Sequence, residues 1–277
     1  MMWLLLAKRV PAWALFLVLV TLVMLRPAES FAADGGRKKK KQPQQQQKKK
    51  NRGNTKTRGG LPAWAEGPET WVGCTQSCQD YHRLNAAETS NEYDVIVYGD
   101  SITAGVREVL KTPWRTTVEP HFTGLRVAWW GVPGNDVEDL TWRIMSGAEV
   151  AVTPPKVVVL WIGTNSLNQG RDPVEHLDFL MDYLRKTLPL TRLVFLNILP
   201  NTRYPVEEAN ARMRDVCAKH GATFADCGST LNPADRKLIP DGVHPSPVGY
   251  RAIMKCLGPL VRQLAQQQPA PQPAPLP

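Results

Sequence analysis

Five short apolar runs alternating with amphipathic segments constrain this chain more than any other feature. They are Asp94–Tyr98 (DVIVY), Leu125–Trp130 (LRVAWW), Lys156–Ile162 (KVVVLWI), Arg192–Leu199 (RLVFLNIL) and Ala222–Asp226 (ATFAD). Three of them are near-continuous β-branched or aromatic stretches, the pattern of strands buried on both faces. Between them, Val137–Ser146 gathers Val137, Leu140, Ile144 and Met145 on one helical face. Pro173–Leu188 does the same with Val174, Leu177, Leu180, Met181 and Leu184, and Pro173 suits a first helical turn. Val206–His220 and Ser246–Leu264 are further helix candidates, the latter interrupted by Gly258-Pro259, which predicts a kink or two helices. Such alternation specifies an α/β layered fold on a parallel sheet. In sheets of that kind, chemistry collects at the carboxyl ends of the strands, beside the point where strand order reverses.

The two ends of the chain have compositions that cannot pack. Lys8 and Arg9 precede an apolar run from Trp13 to Leu25, with small residues at Ala28, Ser30 and Ala32, which predicts a secretory signal over residues 1–32. The run falls short of the roughly 20 residues of a membrane span. An uncleaved signal anchor is the alternative, and only that version would tie the chain to a membrane. Residues 33–70 form a basic low-complexity linker, and residues 266–277 a Pro/Gln-rich tail expected to stay extended and solvated. What remains is about 200 residues, enough for one well-buried core.

Charge must be divided by segment before it means anything. The formal net charge is +9, but Arg37–Arg58 alone carries eleven Lys and Arg and no acid. The part from residue 59 onward is therefore mildly acidic. A specific nucleic-acid binder would show its basic stripe on the folded domain, so the arm reads as a solvated linker or a contact for anionic surfaces.

Of the five cysteines, Cys74 and Cys78 fall in a lead-in at 71–92, and Cys217, Cys227 and Cys256 in the second half of the domain. One or two disulfides fit an oxidising compartment, with connectivity open. Cys74, Cys78 and His82 fall short of the four ligands that structural zinc requires.

Four polar loops carry the residues that can do chemistry. The first strand runs into Gly99-Asp100-Ser101-Ile102-Thr103 ahead of a helix, where a serine hydroxyl meets the positive end of the helix. A simple helix cap would use the same residues. Gly131-Val132-Pro133-Gly134-Asn135-Asp136 lacks dinucleotide-binding spacing, but a glycine there can turn its N–H toward an anion. Gly163-Thr164-Asn165-Ser166 offers an asparagine amide as an oxyanion donor. Pro240-Asp241-Gly242-Val243-His244-Pro245 sets an Asp three residues ahead of a His, so that the carboxylate can orient the imidazole and free its other nitrogen for a serine proton. Each loop alone is compatible with a plain turn or cap; nucleophile, oxyanion donors and base falling in four separate loops that one sheet edge could gather are much less readily four accidents.

With these motifs in order, GDSI at 99–102, GVPGND at 131–136, GTN at 163–165 and DGVH at 241–244, residues 93–265 resemble the SGNH hydrolase superfamily of GDSL-like esterases and lipases. VLWIGTN and the Trp142–Gly147 stretch resemble the platelet-activating-factor acetylhydrolase catalytic subunits and lysophospholipase-type relatives. The resemblance implies a three-layer, flavodoxin-like fold on a five-stranded parallel sheet. It further implies Ser101 as nucleophile, His244 as base and Asp241 as its orienting partner. Oxyanion donors would be the backbone N–H groups of Ser101 and Gly134 and the side chain of Asn165, with no metal or organic cofactor. The first motif ends in Ile102 where the name-giving version has Leu, which leaves the reacting atoms unchanged. The expected activity is serine ester hydrolysis of small-molecule or glycan esters, short-chain acyl or lysophospholipid, in an extracytosolic setting. An acyltransferase or carbohydrate deacetylase using the same residues, and a non-catalytic surface-binding protein, are the alternatives.

Overall fold

Each of the five apolar runs forms a strand: β1 (Val95–Gly99), β2 (Val127–Gly131), β3 (Val157–Trp161), β4 (Arg192–Leu196) and β5 (Thr223–Ala225). The computed structural model describes residues 60–267, apart from 66, 68–70, 72 and 73. The leader expected at 1–32, the linker up to residue 59 and the tail beyond 267 lie outside the described residues. The strands make one sheet in the order β2-β1-β3-β4-β5, with every pair parallel. Register brings the strand ends level, since Gly99 lies opposite Gly131 on one side and Trp161 on the other. The chain leaves β1 for β2 in one direction and then crosses to β3 in the other. The reversal point of this flavodoxin-like order therefore lies at β1 and β3, and a crevice is expected there.

The apolar strands serve two cores because successive side chains point to opposite faces. Ile96, Tyr98, Val158, Leu160 and Phe195 pack under α3 (Val137–Met145), α5 (Val174–Thr187) and α6 (Glu207–Lys219). Val95, Val97, Val157, Val159, Trp161 and Leu196 pack under α2 (Ser101–Leu110) and α7 (Pro247–Gln266). The result is three layers, helix–sheet–helix. A one-turn helix, α4 (Thr164–Asn168), follows β3, and two short 3-10 segments, Pro113–Thr117 and Glu119–Phe122, lead from α2 to β2.

Of the two forms expected for the last helix, the split one is not found: a single helix runs through Gly258-Pro259. Pro259 removes one N–H from the helical ladder, but Ile253, Met254, Leu257 and Val261 continue the buried face across it, and this packing holds the helix together. The lead-in at 71–92 packs on the domain. It contains α1 (Gln76–Ala87), capped by the Thr75 hydroxyl, and buries Trp71 and Cys78 around Val132 of the loop after β2. Cys74 pairs with Cys78, and Cys227 with Cys256, joining the end of β5 to α7. Cys217 is free and buried, and burial pushes its thiol up to about 12.

Candidate active site

The loop after β1 turns directly into a helix because Asp100 caps it. Its Oδ1 accepts the N–H of Ile102 at 2.9 Å, leaving Ser101 as the first helical residue. The Ser101 N–H thus belongs to the first turn, where backbone donors lack intrahelical partners and the helix dipole favours negative charge. Asp100 is itself buried, and burial pushes its carboxyl up to about 6 despite the Ile102 hydrogen bond. Asp100 acts as the cap, so the Ser101 hydroxyl is not used in capping the helix.

The fourth loop comes to Ser101 from 143 positions away. Its His244 Nε2 lies 2.8 Å from Ser101 Oγ, and His244 Nδ1 lies 2.6 Å from Asp241 Oδ2. The other oxygen of Asp241 accepts the backbone N–H groups of Val243 at 2.9 Å and His244 at 2.7 Å. Burial pulls the Asp241 carboxyl upward, but the His244 ring and these two N–H groups outweigh it and hold the carboxyl down at about 2. Hydroxyl, imidazole and carboxylate therefore form one hydrogen-bonded line that can pass a proton off the serine. The line is anchored from α7, where the Tyr250 hydroxyl donates to the Ile102 carbonyl at 2.7 Å.

The second and third loops meet beside it. Val132 donates to the Gly99 carbonyl at 3.0 Å, which starts the second loop against the Ser101 turn. The approach is close: a Cβ on Gly131 would lie 2.2 Å from the Ala104 nitrogen. Gly134 follows with φ of 84°, the left-handed conformation that glycine adopts without penalty. Asn165 Nδ2 donates to the Asn135 carbonyl at 2.8 Å, fixing its amide one residue from Gly134. Ser101, Asp241 and His244 are joined by hydrogen bonds, while Gly134 and Asn165 are brought to the same rim through Asn135 and Gly99.

Sequence reasoning missed the group beneath this rim. Arg143 of α3 is wholly buried, and its guanidinium donates to the carbonyls of Gly99 (3.1 Å) and Trp130 (2.6 Å), to Asn135 Oδ1 (3.2 Å) and to Glu149 (2.6 Å). Glu149, also buried, accepts from His82 Nδ1 at 2.7 Å and Asn85 Nδ2 at 3.3 Å, both on α1. Two signals were available: Arg143 belongs to the Trp142–Gly147 stretch that carries part of the resemblance, and it lies three residues after Leu140, at the edge of the apolar face of its helix.

Two open depressions border the loops, both touching Tyr204, whose hydroxyl donates to the Thr164 carbonyl at 2.7 Å. The larger, about 510 Å³, runs along Asn201–Glu207 and reaches the base loop through Thr202, which donates to the Gly242 carbonyl. Another cavity of about 190 Å³, lined by Arg185 and His220, sits at the starts of β4 and β5, at the far end of the sheet from Ser101.

A family model described as the GDSL-like lipase/acylhydrolase family matches residues 97–252. The platelet-activating factor acetylhydrolase IB subunit alpha1 of Bos taurus is 27% identical over 209 residues, covering 71% of this chain and 87% of the bovine one. The Homo sapiens subunit alpha1 is 27% identical over 212 residues, covering 70% and 89%. Among solved structures, a GDSL-like lipase from Bacteroides thetaiotaomicron shares the fold, with a TM-score of 0.52 at 18% identity over 67% of this chain and 97% of that one.

Proposed function

The chain belongs to the GDSL-like lipase/acylhydrolase family and is a carboxylic ester hydrolase, and from that premise we propose that Ser101, His244 and Asp241 cleave short-chain acyl esters through an acyl-enzyme. His244 Nε2 takes the proton of Ser101 as Oγ attacks the ester carbonyl. The carbonyl oxygen becomes an oxyanion, held by the N–H groups of Ser101 and Gly134 and the amide of Asn165. The C–O bond to the leaving alcohol then breaks, and His244 returns its proton to that alcohol. Water, deprotonated by the same nitrogen, cleaves the acyl-serine to a carboxylic acid and restores Ser101. Asp241, held ionised down to about pH 2, stabilises the imidazolium formed in each half.

The single observation that carries this reading is the unbroken line Ser101–His244–Asp241, with contacts of 2.8 and 2.6 Å between residues from opposite ends of the domain. The short-chain preference draws on the similarity to proteins named as acetylhydrolases, and membership of the lipase/acylhydrolase family fits either a small-molecule or a glycan ester. The same reading puts the enzyme in the secretory pathway. The leader-like residues 1–32 support this, as do the Cys74–Cys78 and Cys227–Cys256 pairs, which persist in oxidising compartments. Arg37–Arg58 would then hold the enzyme near anionic surfaces.

Hydrolysis of p-nitrophenyl acetate tests the assignment. Ser101→Ala should lower turnover by about 10³-fold or more with the circular dichroism spectrum unchanged, and rates should fall from acetyl to butyryl to long-chain esters. Undiminished turnover by Ser101→Ala would remove Ser101 from the reaction.

A further inference from the structure

The buried pair of Arg143 and Glu149 lies directly under the donors that would hold the oxyanion. Burying two charges is costly, and such pairs contribute little to stability compared with well-packed apolar residues. What this pair does contribute is geometry. Arg143 reaches the Gly99 carbonyl, two residues before Ser101, and the Asn135 side chain, next to Gly134. The Asn135 carbonyl in turn receives the Asn165 amide. One guanidinium thus sets the relative position of all three donor segments.

The Glu149 backbone is held by Tyr98 and Arg143, but the carboxylate that orients that guanidinium is also reached from outside the residues matched by the family model. His82 and Asn85 of α1 supply its other two hydrogen bonds. Asn85 also donates to the Gly131 carbonyl at 3.3 Å and accepts from Arg107 of α2, the helix that begins at Ser101. Trp71 and Cys78 pack on Val132 in the same loop. The lead-in therefore touches the oxyanion loop through backbone, side chain and the Glu149–Arg143 relay at once.

We propose that Trp71 and α1 of the lead-in are a positioning element for the oxyanion donors, with His82 and Arg143 as positioning residues; the proposal rests on the ester-hydrolase reading above. Neither residue touches substrate. Both act by holding N–H groups where the developing charge appears, and a misplacement of about 1 Å at such a site costs on the order of 10²-fold in rate.

The test uses the full chain and p-nitrophenyl acetate. Arg143→Lys should lower kcat by about 10²-fold with KM within about twofold of wild type. Because that change sits in the core, His82→Leu at the edge of the relay provides a second variant. It should lower kcat by about 10-fold at unchanged KM, and His82→Asn, whose amide N–H occupies the place of Nδ1, should restore most of the loss. A merely structural role would lower the melting temperature and leave the kinetics of the folded protein unchanged. A folded His82→Leu with wild-type kcat, or a loss confined to KM, would overturn the proposal. An inactive wild type would instead count against ester hydrolysis itself.

Discussion

Asp241 makes three hydrogen bonds, two to backbone N–H groups of its own loop and one to the imidazole. The first two shape the loop and the third sets the tautomer of His244, so removing the charge while keeping the shape separates them. Asp241→Asn should retain the fold but lower kcat on the order of 10³-fold, because an amide facing Nδ1 no longer stabilises an imidazolium. A loss under about tenfold would show that the carboxylate is not needed. The same substitution has a pH signature. The carboxyl is held down from its ordinary 3.8 to about 2, so its contribution to stability is fully present above pH 3.8 and is lost as pH falls through about 2. The stability difference between wild type and Asp241→Asn, read by denaturant unfolding, should therefore shrink below pH 4. These residues were legible in the sequence because their chemistry is tied to short spacings, Asp241 to His244 above all. Arg143 was not, since an arginine on an amphipathic helix normally faces water, and only the tertiary fold shows the four acceptors it serves.

Among the elements, the second loop is the most tightly specified. Gly131 faces the Ala104 nitrogen and the Asp100 carbonyl, where a Cβ would lie at 2.2 and 2.6 Å, while Gly134 has open space but φ of 84°. Backbone cannot yield as a side chain can, so Gly131→Ala should cost about 1–3 kcal/mol or more, and Gly134→Ala only the left-handed penalty of about 1–2 kcal/mol. Urea unfolding should rank Gly131→Ala as the more damaging; the reverse order would mean that the loop does not lie against the Ser101 turn. The five strands and the three middle helices were visible from apolar periodicity to within a few residues. The first helix was not, because QSCQDYHRLNAA buries only Cys78 and Asn85 and so shows no apolar stripe. The last helix was read as interrupted because a Gly-Pro pair weighs heavily in a local reading, whereas the continuous buried face on both sides of Pro259 decides the outcome.

On the scale of the whole molecule, strand order does the assembling. Placing β1 and β3 side by side, with β2 and β4 outside them, brings the loops after β1, β2 and β3 to one rim, and α7 returns the base loop to the same place. The Cys227–Cys256 bond, which closes the stretch containing Asp241 and His244, ties that return to the sheet. α1 closes the rim from behind. Alternation of strands and helices was enough to anticipate the layers, but the docking of α1 depends on polar contacts that no periodicity reveals. If this convergence makes Ser101 uniquely nucleophilic, a fluorophosphonate should attach there and nowhere else. Intact-mass and peptide-mapping analysis of the labelled chain should find one adduct, on Ser101, abolished by Ser101→Ala and strongly slowed by His244→Ala. A native, folded chain that takes up no label, or takes it at another residue, would contradict the account.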